Sequence, residues 1–61
     1  MSYVLQSSLT PTLYHNGTII EKKGVTLALF DVIEIARLFE TSEEAYDVSQ
    51  LFDVPVTIVE L

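Results

Sequence analysis

The sequence offers few side chains from which a catalytic or metal site could be built. It has no cysteine and a single histidine, His15, and the only carboxylate near His15 in sequence is Glu21. A metal site needs three or four ligands, and nucleophilic catalysis needs a cysteine or serine paired with a base. Two glycines cannot form a phosphate-cradling loop. We therefore expect no enzyme activity, no metal and no cofactor.

Carboxylates are abundant and unevenly distributed. Nine acids against three bases give a formal net charge of −6, and eight of the acids but only one base lie after residue 30. The densest group is Glu40, Glu43, Glu44 and Asp47. A helix carrying this group would expose paired carboxylates such as Glu43 and Asp47 equally, so nothing would separate their pKa values as acid–base catalysis requires. Either the group is a solvated face that keeps a hydrophobic chain soluble, or it docks on a basic surface.

The docking interpretation leads to the main functional hypothesis: a small acidic regulator or inhibitor that binds a protein partner through Glu40, Glu43, Glu44 and Asp47. In its extreme form it is a nucleic-acid mimic, whose carboxylates replace phosphates. Compact, acidic, cysteine-free accessory proteins are frequent in phages and mobile elements. By analogy, the hypothesis extends to a phage or mobile-element accessory protein. The alternative is a structural or assembly subunit that acts by homo-oligomerisation.

The first half of the chain predicts a β-hairpin over about residues 12–21. Asn16-Gly17 is the dipeptide that best tolerates the two positive φ angles of a type I′ turn, and its flanks are rich in β-branched and aromatic residues. An earlier strand from Tyr3 to Gln6 is also expected. On this interpretation His15 lies on a strand face beside the turn.

Residues 26–40 have a helical pattern. Their apolar side chains cover one arc of a helical wheel, but Leu27, Phe30 and Leu38 fall among the charged residues. One helix face cannot bury all three. We therefore expect these three residues to mediate self-association, with a homodimer as the commonest form.

A second helix is predicted over about residues 42–52, because Thr41 and Glu44 have capping-box spacing. Pro55 ends it, and the β-branched tail predicts a strand over about 55–60. The expected fold is one small α+β domain over residues 1–61, in the order β-β-(β)-α-α-β with two consecutive helices.

The segment Ile35–Ser42 resembles the first helix and turn of a helix-turn-helix motif, with Ala36 at the helix crossing and Ser42 as a cap. The resemblance implies a third hypothesis, a transcriptional regulator. It departs from the motif at Glu40, where glycine is favoured. Its recognition helix would place three carboxylates against DNA, whose binding depends on lysine and arginine. We therefore expect no direct contact with nucleic acid.

The sequence gives no sign of export or of a membrane partner. Its start lacks the positive and apolar stretches of a signal peptide, and no stretch reaches the roughly 18 apolar residues that a membrane helix needs. A cytoplasmic location is the expectation, and the absence of cysteine is compatible with a reducing compartment.

Overall fold

The computed structural model describes all 61 residues and shows a four-stranded antiparallel sheet with one short helix. The strands lie in the order β3-β2-β1-β4. In chain order the elements are β1 Tyr3–Ser7, β2 Tyr14–Lys22, β3 Val25–Asp31, a 3₁₀ turn Ile33–Ile35, α1 Ser42–Ser49 and β4 Val56–Glu60. The predicted fold with two consecutive helices is therefore wrong, and the protein is mostly β.

The predicted helix over 26–40 is replaced by strand β3, the 3₁₀ turn and an extended segment. Along β3 the side chains alternate between exposed positions, such as Leu27 and Leu29, and half-buried positions, such as Ala28 and Phe30. This is the two-residue period of a strand. Leu27 and Phe30 fall among charged residues on a helical wheel because the segment is a strand and not a helix. In the strand they lie on opposite faces, Leu27 on the exposed one and Phe30 on the half-buried one.

The predicted hairpin turn at Asn16-Gly17 is also wrong, because both flanks of this dipeptide lie on β2. The turn that joins β2 to β3 is formed by Lys23 and Gly24, whose φ angles are 53° and 77°. Two consecutive positive φ angles are what a two-residue type I′ hairpin needs. Glycine meets this requirement without strain at Gly24, and Lys23 adopts the left-handed conformation beside it.

Asn16 and Gly17 instead form a bulge in β2. The pairing between the two strands shifts from His15 opposite Phe30 to Ile19 opposite Ala28. Gly17 has a φ of 95°, and the Thr18 amide donates to the Asn16 side-chain oxygen at 3.0 Å. A bulge of this kind bends a strand and leaves part of the ladder unpaired.

The second predicted helix and the last strand are present, with different ends. Helix α1 ends at Ser49 rather than at residue 52, and it begins after Thr41, whose Oγ1 accepts from the Glu44 amide at 3.2 Å. Strand β4 pairs antiparallel with β1 along its whole length.

No helix in the structure has the length and apolar character that crossing a membrane requires.

The core is small and lies between α1 and the β1–β4 side of the sheet. Leu5, Phe39 and Ala45 form its buried centre, and only five of the 61 residues are buried. The segment around Phe39 enters the sheet next to β1: Phe39 and Tyr3 exchange backbone hydrogen bonds at 2.8 and 2.9 Å. Two residues earlier, the Arg37 amide donates to the His15 carbonyl at 2.9 Å. The connection after β3 therefore ties the bulged strand to the core.

Candidate protein-binding surface

The four predicted partner-binding residues lie on α1 or just before it, and all are exposed. Glu43 and Glu44 occupy the first helical turn, where negative charge is favourable to the helix dipole. Asp47 follows Glu43 by four residues and so lies on the same side of the helix. Glu40 precedes the cap and is outside the helix.

A shallow depression on α1 brings two of these four residues together. It has a volume of about 390 Å³ and is lined by Ser42, Glu43, Tyr46, Asp47 and Ile58. Glu40 and Glu44 are not part of its lining. Tyr46 is 56% exposed, so its ring adds an aromatic surface beside the two carboxylates. We name this feature the acidic depression.

The acids around this depression have no cationic partner nearby in the sequence. The one base after residue 30 is Arg37, and its guanidinium lies over the Phe39 ring, 4.6 Å from the ring centroid. No hydrogen bond of the chain ends on the carboxylate of Glu43 or Asp47. Two carboxylates beside an exposed aromatic ring can accept a lysine or arginine side chain through charge and cation–π attraction. No group of three or more metal-ligating side chains is assembled in the structure.

Sequence reasoning identified Glu43 and Asp47 but did not connect them with Tyr46 or Ile58. Tyr46 follows from helical spacing, since it lies three residues after Glu43. Ile58 carries no such signal, because it comes from β4 and reaches the depression only through the packing of α1 on the sheet.

His15 lies on a strand face, as expected, but it is fully buried rather than placed beside a turn. Its ring contacts two aromatic rings, with centroid distances of 4.8 Å to Phe52 and 5.8 Å to Phe30. Nδ1 lies 3.0 Å from the Leu29 carbonyl oxygen. Since a carbonyl can only accept, the proton is on Nδ1. Nε2 is buried and has no partner.

This environment favours a neutral imidazole. Burial lowers the pKa of His15 below its usual value of 6.5, and the positive charge of Arg37 acts in the same direction, whereas the hydrogen bond to Leu29 raises it. The side chain is enclosed by the fold and is a structural element of it, not part of a surface site.

The three predicted self-association residues occupy different environments. Leu27 is 50% exposed on β3, and Leu38 is 59% exposed on the connection to α1. Phe30 is half-buried in the aromatic cluster with His15 and Phe52, 6.0 Å from the Phe52 ring. Leu27 and Phe30 point to opposite faces of β3, so the three side chains do not form one patch.

The helix-turn-helix resemblance has no counterpart in the fold. The motif needs a helix over Ile35–Phe39, but this stretch holds the end of a 3₁₀ turn and then extended backbone. Only α1, the would-be recognition helix, is helical.

Comparison of the chain with known protein families, with curated proteins and with solved structures finds no match.

Proposed function

We propose that this chain is a non-enzymatic protein-interaction module that docks on a basic partner surface through the acidic depression. The observation that carries the proposal is the meeting of Glu43, Asp47 and Tyr46 in one depression on α1. Complementary charge of this kind speeds encounter and selects among partners more than it adds affinity. A regulator or inhibitor that must find one basic protein among many would use it.

The matching ligand is a lysine or arginine side chain presented by another protein. Its charged head would lie between the two carboxylates, and its aliphatic stem would cover Ile58 and the Tyr46 ring. Arginine suits such a site best, because its planar guanidinium pairs with carboxylates and stacks on aromatic rings. Glu40 and Glu44 extend the negative surface beyond the depression and would steer the partner during approach.

The direct test is a nuclear magnetic resonance titration with two defined peptides, one arginine-rich and one acidic of equal length. The arginine-rich peptide is expected to shift the amide signals of residues 42–47 and of Ile58. These shifts should weaken as salt rises, because the Debye length falls to about 3 Å at 1 M salt. The acidic peptide is expected to shift none. Shifts spread equally over Asp53 and Glu60 would contradict a specific site.

A matched pair of variants separates the depression from net charge. Glu43→Gln with Asp47→Asn removes two charges from the depression, and Glu21→Gln with Asp53→Asn removes two exposed charges elsewhere. Binding of the arginine-rich peptide should fall at least about tenfold in the first variant, a loss of about 1.4 kcal/mol, and should stay near wild type in the second. An equal loss of peptide binding in both variants would indicate that the acidic surface only keeps the chain soluble.

A second candidate function is a structural or assembly subunit, and one observation favours it. Fourteen large hydrophobic side chains are exposed by 41% or more, against five buried residues in the whole chain. Small chains that bury so few side chains commonly associate with a second molecule to compensate. We infer a cytoplasmic location for either function, and the absence of cysteine is compatible with such a reducing compartment.

A further inference from the structure

We propose that β3 is the interface between two copies of this chain, which pair antiparallel through their β3 edges about a two-fold axis at Ala28. The sheet would then continue through both molecules. This inference is independent of the acidic depression, which lies on α1 and β4 at the other side of the sheet.

The free edge of β3 is unprotected. Beyond its ladder with β2, the strand makes no backbone–backbone hydrogen bond. It is seven residues long, contains no proline or lysine, and is charged only at its last residue, Asp31. Proteins usually blunt a free edge with prolines, lysines or short strands. The opposite edge, β4, is shorter at five residues, follows Pro55 and ends on Glu60.

The hairpin geometry determines which backbone groups are available. Lys22 and Val25 flank the two-residue turn and form a hydrogen-bonded pair, so alternate residues of β3 direct their N–H and C=O groups away from β2. These are Thr26, Ala28 and Phe30. An antiparallel partner centred on Ala28 sets Thr26 opposite the partner's Phe30, and Ala28 opposite the partner's Ala28. The three pairs give about six new backbone hydrogen bonds.

The same register places apolar side chains in contact. Leu27 of one copy stands opposite the Leu29 of the other, at the non-hydrogen-bonded positions where side chains approach most closely. Leu27 and Leu29 are 50% and 41% exposed, and Ile20, opposite Leu27 on β2, is 43% exposed on the same face. These leucines would leave water on pairing.

Charge selects the antiparallel orientation. Lys22 and Lys23 lie at the turn end of β3, and Asp31 lies at the other end with Glu34 close behind it. Antiparallel pairing sets the basic end of each copy against the acidic end of the other, whereas parallel pairing would set like charges together. The hairpin from Tyr14 to Asp31 holds two acids and two lysines, so the contact region is neutral although each chain carries a net charge of −6.

The core size explains why a partner is needed. Five buried residues are few for a stable domain, and small chains without disulfides or metals commonly associate to compensate. A standard interface covers about 800 Å² on each partner, and the isolated chain exposes 4163 Å². The β3 edge and its exposed leucines would form the centre of such an interface.

The test introduces charges of one sign at the paired leucines. Analytical ultracentrifugation at micromolar concentration then measures the molecular mass of each variant. Wild type is expected to sediment at twice the 6.8 kDa of one chain. The variants Leu27→Lys/Leu29→Lys and Leu27→Glu/Leu29→Glu should each be monomeric, because like charges then stand opposite one another. An equimolar mixture of the two variants should recover the dimer.

Two results would overturn the proposal: a monomeric wild type at every concentration, or a dimer that survives in both variants. Circular dichroism shows whether each variant is folded. Should either variant not fold, hydrogen exchange on wild type supplies the test. Thr26, Ala28 and Phe30 amides protected from exchange support the edge pairing, and rapid exchange of the three contradicts it.

Discussion

The imidazole Nδ1 of His15 lies 3.0 Å from the carbonyl oxygen of Leu29 and compensates for a gap in the ladder between β2 and β3. Leu29 stands between two paired residues, Ala28 and Phe30, yet has no partner of its own in the register, because Asn16–Thr18 bulge away from it. A backbone carbonyl without a ladder donor forgoes a hydrogen bond that a regular strand pair would make. The histidine side chain therefore replaces the missing backbone amide.

This hydrogen bond and the burial of the ring predict a pH-dependent stability. The folded pKa of His15 lies below the unfolded value of 6.5, so below pH 6.5 the unfolded chain binds protons that the folded chain does not. The free energy of unfolding should therefore be constant above pH 6.5. It should fall as the pH is lowered from 6.5 towards the folded pKa, by up to about 1.4 kcal/mol per pH unit. Urea unfolding at pH 7.5 and 5.5 measures the difference.

The control for this prediction is His15→Gln, which keeps an N–H donor for the Leu29 carbonyl but does not titrate. Its stability should change much less between the two pH values. An equally large change in the variant would assign the pH dependence to other groups. A direct titration of the His15 ring signals in wild type should give a pKa below 6.5.

The Lys23-Gly24 turn predicts opposite effects at its two positions. Gly24 has a φ of 77° and open space around it, so Gly24→Ala should lower the free energy of unfolding by about 1 kcal/mol through backbone strain alone. Lys23→Asn should raise it by about 0.5 kcal/mol, since asparagine tolerates the φ of 53° better than lysine. Chemical denaturation at one protein concentration checks both. Equal effects of the two substitutions would contradict the assigned turn.

The size of the core predicts strong sensitivity at Leu5. Leu5 is fully buried, and Leu5→Ala should cost about 3 kcal/mol. A domain of this length has a total stability of roughly 3–9 kcal/mol. The variant should therefore have a much lower melting temperature than wild type. Leu9, which is 73% exposed, provides the matched control: Leu9→Ala should change the stability by less than about 0.5 kcal/mol.

The cap of α1 predicts a smaller loss. Thr41→Ala removes the acceptor for the Glu44 amide and should lower the free energy of unfolding by about 1 kcal/mol. Thr41→Ser keeps the oxygen and should be close to wild type. If the alanine and serine variants were equally stable, the hydroxyl would have no capping role. Because the acidic depression begins at Ser42, the alanine variant should also bind the arginine-rich peptide more weakly.

The sequence by itself determined the features that depend on neighbouring residues. Capping-box spacing located the start of α1 directly after Thr41, β-branched composition indicated the last strand, and the charge count placed the acidic surface after residue 30. Helical spacing put Glu43 and Asp47 on one side. Each of these signals acts within a few residues, so no knowledge of the rest of the fold was needed.

Tertiary structure alone decided the middle of the chain. The apolar pattern of residues 26–40 fits a helix locally, but Val25–Asp31 gains hydrogen-bond partners on β2 that a helix could not reach. Asn16-Gly17 has turn chemistry, yet the Arg37–Phe39 segment lies against this part of β2, and the side chain of Arg37 comes within 3.6 Å of a Cβ placed on Gly17. Ile58 reaches the acidic depression in the same way, from a strand far along the sequence. Sheet partners and packed side chains are distant in sequence, so local propensity cannot specify them.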